Sequence, residues 1–152
     1  MHLVLVEPQI PQNTGNIARS CVMTHSTLHL VEPLGFSISQ KEIRRAGLDY
    51  WAHLQLQLHA DYGALREAYP AKRFIFFSTR GTRLYTDMVY DPDDFLVFGC
   101  ETRGLPVEMT EKESHLLRIP MVEQIPRSLN LSNSVAVVLY EALRQQGFPG
   151  MR

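Results

Sequence analysis

Residues 127–143 read RSLNLSNSVAVVLYEAL, and two signals meet in that stretch. From Leu131 onward, apolar residues recur at Val135, Val138, Leu139 and Ala142, the spacing of a helix with one face to bury. Around its first turn stand Ser128, Asn130, Ser132, Asn133 and Ser134. A single Ser or Asn side chain is enough to cap amide donors left free at a helix start. Five such residues leave two readings open: capping alone, or a helix start that also holds a polar ligand.

Working back from that helix, strand and helix signals alternate. HLVLVE is a short apolar run ended by Pro8 and Pro11, read as a buried strand and a stiff loop. In NTGNIARSCVMTHS, Asn13 is a candidate cap, and Ile17, Ala18, Cys21 and Val22 form a helical face. TLHLVE resumes strand character until PLG breaks it, and SISQKEIRRAGLDYW predicts a short helix carrying Lys41, Arg44 and Arg45 that turns near Gly47. LQLQLH alternates like a half-exposed strand. DYGALREAY predicts a helix stopped by Pro70, KRFIFFST a buried strand, DDFLVFG another, PVEMTEKE a short helix and HLLRIPM the last strand. The alternation predicts one α/β domain over residues 1–152, with a mainly parallel sheet flanked by helices.

Composition narrows the partners. A 45% hydrophobic share with 20% charged residues excludes a disordered chain. The formal net charge of −1 means that any nucleic-acid surface must gather its basic residues locally or by oligomerisation. Two cysteines, Cys21 and Cys100, without metal-ligand spacing point to a reducing compartment and to neither a disulfide framework nor a metal site. The N-terminus lacks a signal-peptide pattern and no apolar run approaches a membrane span, so a cytoplasmic protein is expected. The six histidines, His2, His25, His29, His53, His59 and His115, show no ligand spacing and receive no role.

Ligands of parallel sheets gather in loops beyond the carboxyl ends of the strands. Three such loops, NTGNIAR, FGCETRGLP and IPMVEQIPRSLNLSNS, each combine Gly, Pro or amide residues with charge directly after a strand or at a helix start. The P-loop and G-x-G-x-x-G patterns are absent. Together the three stretches resemble the SPOUT superfamily of S-adenosylmethionine-dependent RNA methyltransferases, in its ribose 2′-O-methylating branch. The motif residues are Asn13, Gly15, Asn16, Ile17 and Arg19; Phe98, Gly99, Glu101, Gly104, Leu105 and Pro106; and Ile119, Pro120, Met121, Ser128, Leu129, Asn130 and Ser132. The likeness extends over the chain, including RRAGLDY at 44–50, and is to the minimal single-domain type that methylates the wobble ribose (cytidine or carboxymethylaminomethyluridine) of certain leucine tRNAs.

The resemblance implies a C-terminal deep trefoil knot, a homodimer whose sites borrow residues from both copies, and an anticodon stem-loop as substrate. It places the cofactor S-adenosylmethionine against Phe77, Gly99, Ile119, Met121, Ser128 and Leu129, where Gly99 leaves room for close approach. Phe77 and Ile119 would be core residues in any α/β domain. It makes Arg19 the catalytic candidate, with Glu101, Asn16, Ser128 and Asn130 as orienting or proton-handling groups. A guanidinium is a poor base, and its planar fork is better suited to gripping the phosphate beside the target ribose. Glu101 is expected to orient Asn16, Arg19 or the ribose, or to accept a proton itself. Tyr140 is left between packing and contact with cofactor or partner. Cys100 is a bystander, because methylating an oxygen needs no thiol nucleophile. RNA contacts are expected from Arg19, Lys41, Arg44, Arg45, Arg80, Arg83, Arg103 and Arg127. The competing readings are methylation at another tRNA or rRNA site, a non-catalytic RNA-binding knot domain, and a flavodoxin-like nucleotide-binding domain.

Overall fold

The computed structural model describes residues 1–38, 49–111 and 116–152. Seven parallel strands form one sheet: β1 (His2–Val6), β2 (Thr27–Val31), β3 (Gln55–His59), β4 (Phe74–Phe77), β5 (Arg83–Leu84), β6 (Phe95–Phe98) and β7 (Leu116–Arg118), in the order β3-β2-β1-β6-β4-β7-β5. Among the described residues four α-helices accompany them: α1 (Pro11–Met23), α2 (Tyr62–Ala68), α3 (Val107–Thr110) and α4 (Leu131–Gln145). The predicted parallel α/β architecture is therefore present. The proposed helix bearing Lys41, Arg44 and Arg45, and also His115, lie outside the described residues.

Alternate side chains of the central strands enter two separate cores. Leu3, Leu5, Leu28, Leu30, Leu96 and Leu117 pack with Ile17, Ala18 and Cys21 of α1 and Val135, Val138, Leu139 and Ala142 of α4. On the other face Val4, Val6, Val31, Phe74, Phe76, Phe95 and Val97 pack with Leu65 of α2 and with Leu105. Burial on both faces explains why β1, β4 and β6 read as unbroken apolar runs, whereas the edge strand β3 alternates.

The second face also carries a row that the sequence left unread. His2 Nδ1 lies 2.9 Å from His29 Nε2, and His29 Nδ1 lies 3.0 Å from His59 Nε2, so three imidazoles are linked across β1, β2 and β3. Phe95 stacks on His2 at 4.2 Å, and Tyr69 meets His29 edge-on. Burial pushes His2 down to about 4 and His29, which is fully enclosed, down to about 3; the same cause lowers His59.

β7 lies between β4 and β5, two successive strands from earlier in the chain. Ser78, just after β4, donates its amide to the Leu117 carbonyl at 2.9 Å, drawing the 78–82 connection over the end of β7.

Candidate functional site

The strand order reverses direction at β1 and β6, and the loops after these neighbours meet beyond their carboxyl ends. Helix α1 starts with Ile10 at its cap, a residue with no side-chain acceptor to offer. Its start is completed from elsewhere: Glu101 accepts from the Gln9 amide at 2.8 Å, the Ile10 amide at 3.1 Å and the Asn13 side-chain amide at 3.0 Å. The carboxylate also sits at the positive end of the helix dipole. Asn13 then accepts from the Asn130 amide at 2.9 Å. Asn130 in turn caps α4, its carbonyl accepting from the Ser132 amide at 2.8 Å and the Ser132 hydroxyl at 2.7 Å. One relay, Glu101–Asn13–Asn130, thus fastens the three motif loops together.

Two expectations change here. Asn13 is no cap of α1: it lies inside the first turn, buried, and bridges the other two loops. The amide held by Glu101 is that of Asn13, three residues before Asn16, because the carboxylate lies against the very start of α1. Both oxygens of Glu101 accept N–H bonds in this arrangement and so hold the start of α1. The cap among the clustered Ser and Asn residues is Asn130.

Above the relay opens a cleft of about 790 Å³, within the range of about 300–1,000 Å³ usual for small-molecule sites. All six residues expected to hold the cofactor, Phe77, Gly99, Ile119, Met121, Ser128 and Leu129, line it, together with Asn13, Glu101 and Asn130. Its walls are the carboxyl ends of β4, β6 and β7 and the start of α4. Gly99 is required by the packing of its own loop. A Cβ there would collide with the backbone of Gly104 and Leu105, which folds back through a Cys100–Gly104 bridge; Gly104 itself has φ +68°. The Leu129 amide donates only to the Met121 thioether, at 3.4 Å. A sulfur is a weak acceptor, so this amide is available to a better partner such as a ring nitrogen.

Arg80, Arg103 and Arg127 line the cleft, as does Arg118, which sequence reasoning did not single out. Arg80 donates to the Leu105 carbonyl at 2.8 Å, and Arg103 pairs with Glu7 at 3.2 Å. The Arg118 Nε is buried without a partner among the described residues. Arg83 instead bonds the Asp87 carbonyl and lies away from the cleft lining. Asn16 and Arg19 lie on the solvent side of α1 and do not line the cleft of their own chain. The Arg19 guanidinium stands over the Tyr50 ring, 4.9 Å from its centre. Burial pushes the Tyr50 phenol up, against the opposing pull of the Arg19 charge. Tyr140 is exposed on α4, and Cys100 is buried. Among the described residues no group of three or more His, Cys, Asp or Glu is placed to hold a metal ion, and no helix is long and apolar enough to cross a membrane.

Comparison with known proteins converges on one family. The profile of the SpoU rRNA Methylase family matches residues 1–140. The tRNA (cytidine(34)-2′-O)-methyltransferase of Escherichia coli (strain K12) is 47% identical over 152 residues, spanning 99% of this chain and 96% of its own. The protein of the same name from Burkholderia pseudomallei (strain 1106a) is 47% identical over 153 residues, spanning 98% and 97%. A solved structure reported for 2-OH methylation of C/U34 on tRNA has a TM-score of 0.89 at 45% identity, covering 96% of this chain and 95% of its own. The SpoU methyltransferase AviRb from Streptomyces viridochromogenes, in complex with the cofactor AdoMet, shares the fold at TM-score 0.85 and 21% identity, covering 100% of this chain and 59% of its own.

Proposed function

The chain belongs to the SpoU methylase family, and from that premise we propose that it transfers the methyl group of S-adenosylmethionine to the ribose 2′-hydroxyl of the wobble nucleotide of leucine tRNAs, cytidine 34 or carboxymethylaminomethyluridine 34. The observation that carries the reading is the convergence of the three motif loops on one cleft, fastened by Glu101, Asn13 and Asn130.

The donor brings a sulfonium methyl together with its own leaving group. The protein's part is binding, orientation and charge placement. Phe77, Ile119, Met121 and Leu129 supply apolar walls; the weakly engaged Leu129 amide and the hydroxyl of Ser128 supply polar contacts for an adenosine edge. Arg118, with its unpartnered Nε, suits an anionic group entering the cleft. Arg103 and Arg127 at the rim suit phosphates, and Lys41, Arg44 and Arg45 extend that role along the substrate.

Arg19 serves the reaction from a second copy. It projects from the outer side of α1, away from its own cleft, so pairing of two chains is the economical way to bring it to a ribose. There its fork grips the phosphate beside the target 2′-hydroxyl. Asn16, exposed one turn earlier on the same helix, orients the same substrate segment. Exposed Met23, Val137, Tyr140 and Phe148 are apolar groups that such pairing would cover. The trefoil knot is part of the same reading: the insertion of β7 between β4 and β5, beneath the 78–82 connection, supports a C-terminal segment threaded through that loop. The reaction is assigned to the cytoplasm, where tRNA is available.

The test is transfer of labelled methyl from S-adenosylmethionine to leucine tRNA lacking the wobble modification, with the modified nucleotide located by mass spectrometry. Arg19→Ala is expected to lower transfer at least about a hundredfold with the fold intact, in line with the cost of misplacing reacting groups. Label found on a base, or on another nucleotide, would overturn the assignment.

A further inference from the structure

The stretch RRAGLDY ends at Tyr50, and the proposed function as stated leaves that residue without a task. Tyr50 lies in the 3₁₀ turn Asp49–His53, is only 9% exposed, and packs into the core beneath α1. Its hydroxyl donates to the Gly15 carbonyl at 2.7 Å. In a regular α-helix that carbonyl is the acceptor for the amide four residues on, which here is Arg19. The face of the same ring lies under the Arg19 guanidinium, 4.9 Å away. One side chain therefore meets Arg19 twice, at the backbone position opposite its amide and at the end of its side chain.

An exposed arginine ordinarily samples many rotamers, and ordering it at the moment of binding costs entropy. A flat aromatic surface removes part of that freedom in advance and leaves the guanidinium edge, with its donors, turned outward. We infer that Tyr50 is a positioning residue for Arg19, an aromatic rest that holds the guanidinium in the orientation it needs before tRNA arrives. The hydroxyl bond to Gly15 fixes the ring against the helix so that the rest and the arginine move as one piece. This deepens the reading of Arg19 given above and rests on it.

Three measurements decide the matter, on the full chain with leucine tRNA and S-adenosylmethionine. In the wild-type protein the Arg19 side-chain NMR resonances should lie upfield, shifted by the ring beneath them; unshifted resonances overturn the proposal without any variant being made. Tyr50→Leu should lower the maximal transfer rate about tenfold and leave the KM for S-adenosylmethionine unchanged, with the Arg19 resonances returned to ordinary positions. Tyr50→Phe, which keeps the ring and loses the Gly15 bond, should recover most of the rate and the upfield shift while unfolding at a lower temperature. A purely structural tyrosine would instead make Phe and Leu variants differ in stability alone. If Arg19→Ala abolishes transfer but Tyr50→Leu turns over normally, the positioning role falls and the reading of Arg19 stands. If Arg19→Ala itself turns over normally, the reading of Arg19 falls and the role of Tyr50 with it.

Discussion

Where the three motif loops meet, Glu101, Asn13 and Asn130 form a hydrogen-bonded row; across β1, β2 and β3, His2, His29 and His59 form another. Each joins three separate chain segments, yet they differ in direction. The site row has a fixed polarity: a carboxylate that only accepts, then two amides that donate one way and accept the other, ending on the free amides of α4. The histidine row has none. A neutral imidazole donates from one nitrogen and accepts at the other, so the whole row can be satisfied in either sense, provided all three rings share one tautomer. One extra proton on His29 still leaves both bonds intact if the outer rings accept; a second proton must break one. The contrast teaches that the site row is wired in one sense only, while the buried corner of the sheet holds a row whose bonds depend on how many protons it carries.

The largest expected effect breaks the first row. Glu101→Ala leaves three N–H groups without their acceptor and should cost about 3 kcal/mol of stability, given a worth of about 1.5–3 kcal/mol for hydrogen bonds to charged groups. Urea unfolding measures the loss, and calorimetric titration with S-adenosylmethionine should show binding weakened at least about tenfold. An unchanged unfolding midpoint would mean that the loops are held together by something else.

Acid probes the second row. His2 and His29 have folded-state values well below the ordinary histidine value, so the unfolded chain takes up protons first as pH falls. Their contribution is complete above about pH 6.5 and is lost as pH falls towards 4–3, where it levels off. From the enclosed His29 alone, stability should drop by about 2 kcal/mol between pH 7 and pH 5. Urea midpoints across that range should slope downward in the wild type and flatten in His29→Leu. An equal slope in both would remove the histidines as its source.

Smaller changes sharpen the contrast. Asn130→Ala removes the α4 cap and one link of the site row, and should cost about 1 kcal/mol in thermal unfolding, with no dependence on pH between 5 and 7. Arg103→Ala, at the exposed rim, should move stability by less than about 0.5 kcal/mol. Its effect belongs to RNA: the slope of log affinity against log salt for tRNA should fall by about one.

Much of this was legible in the chain, because local signals suffice where the partner is the solvent or the adjacent turn. The apolar stripe of α4, the unbroken runs of β1, β4 and β6, and the arrest of α2 before Pro70 all follow from periodicity and breakers. The lining of the cleft was legible from motifs, since strand ends and following loops must gather on one edge of a parallel sheet. What escaped was register and long-range pairing. Nothing near Asn13 says that its amide will face Glu101, 88 residues away, instead of capping its own helix. The histidines looked scattered because only the alignment of β1 with β2, and β2 with β3, brings positions 2, 29 and 59 into line. Tyr50 stood in the likeness stretch RRAGLDY without a reading of its own, and its contact with α1 depends on how the turn at 49–53 packs.

The slot occupied by β7 has a further consequence, for the order in which the molecule is made. β4 and β5 leave a ribosome before residues 116–118 exist, and they have nothing to pair with each other across the gap that β7 will fill. A nascent chain must therefore keep an unfilled opening, with bare backbone on both sides, until its last strand arrives. Such non-local completion slows folding and exposes edges to neighbouring chains. The same insertion that walls the cleft leaves one backbone edge of β4 and one of β5 unpaired until residues 116–118 have been made.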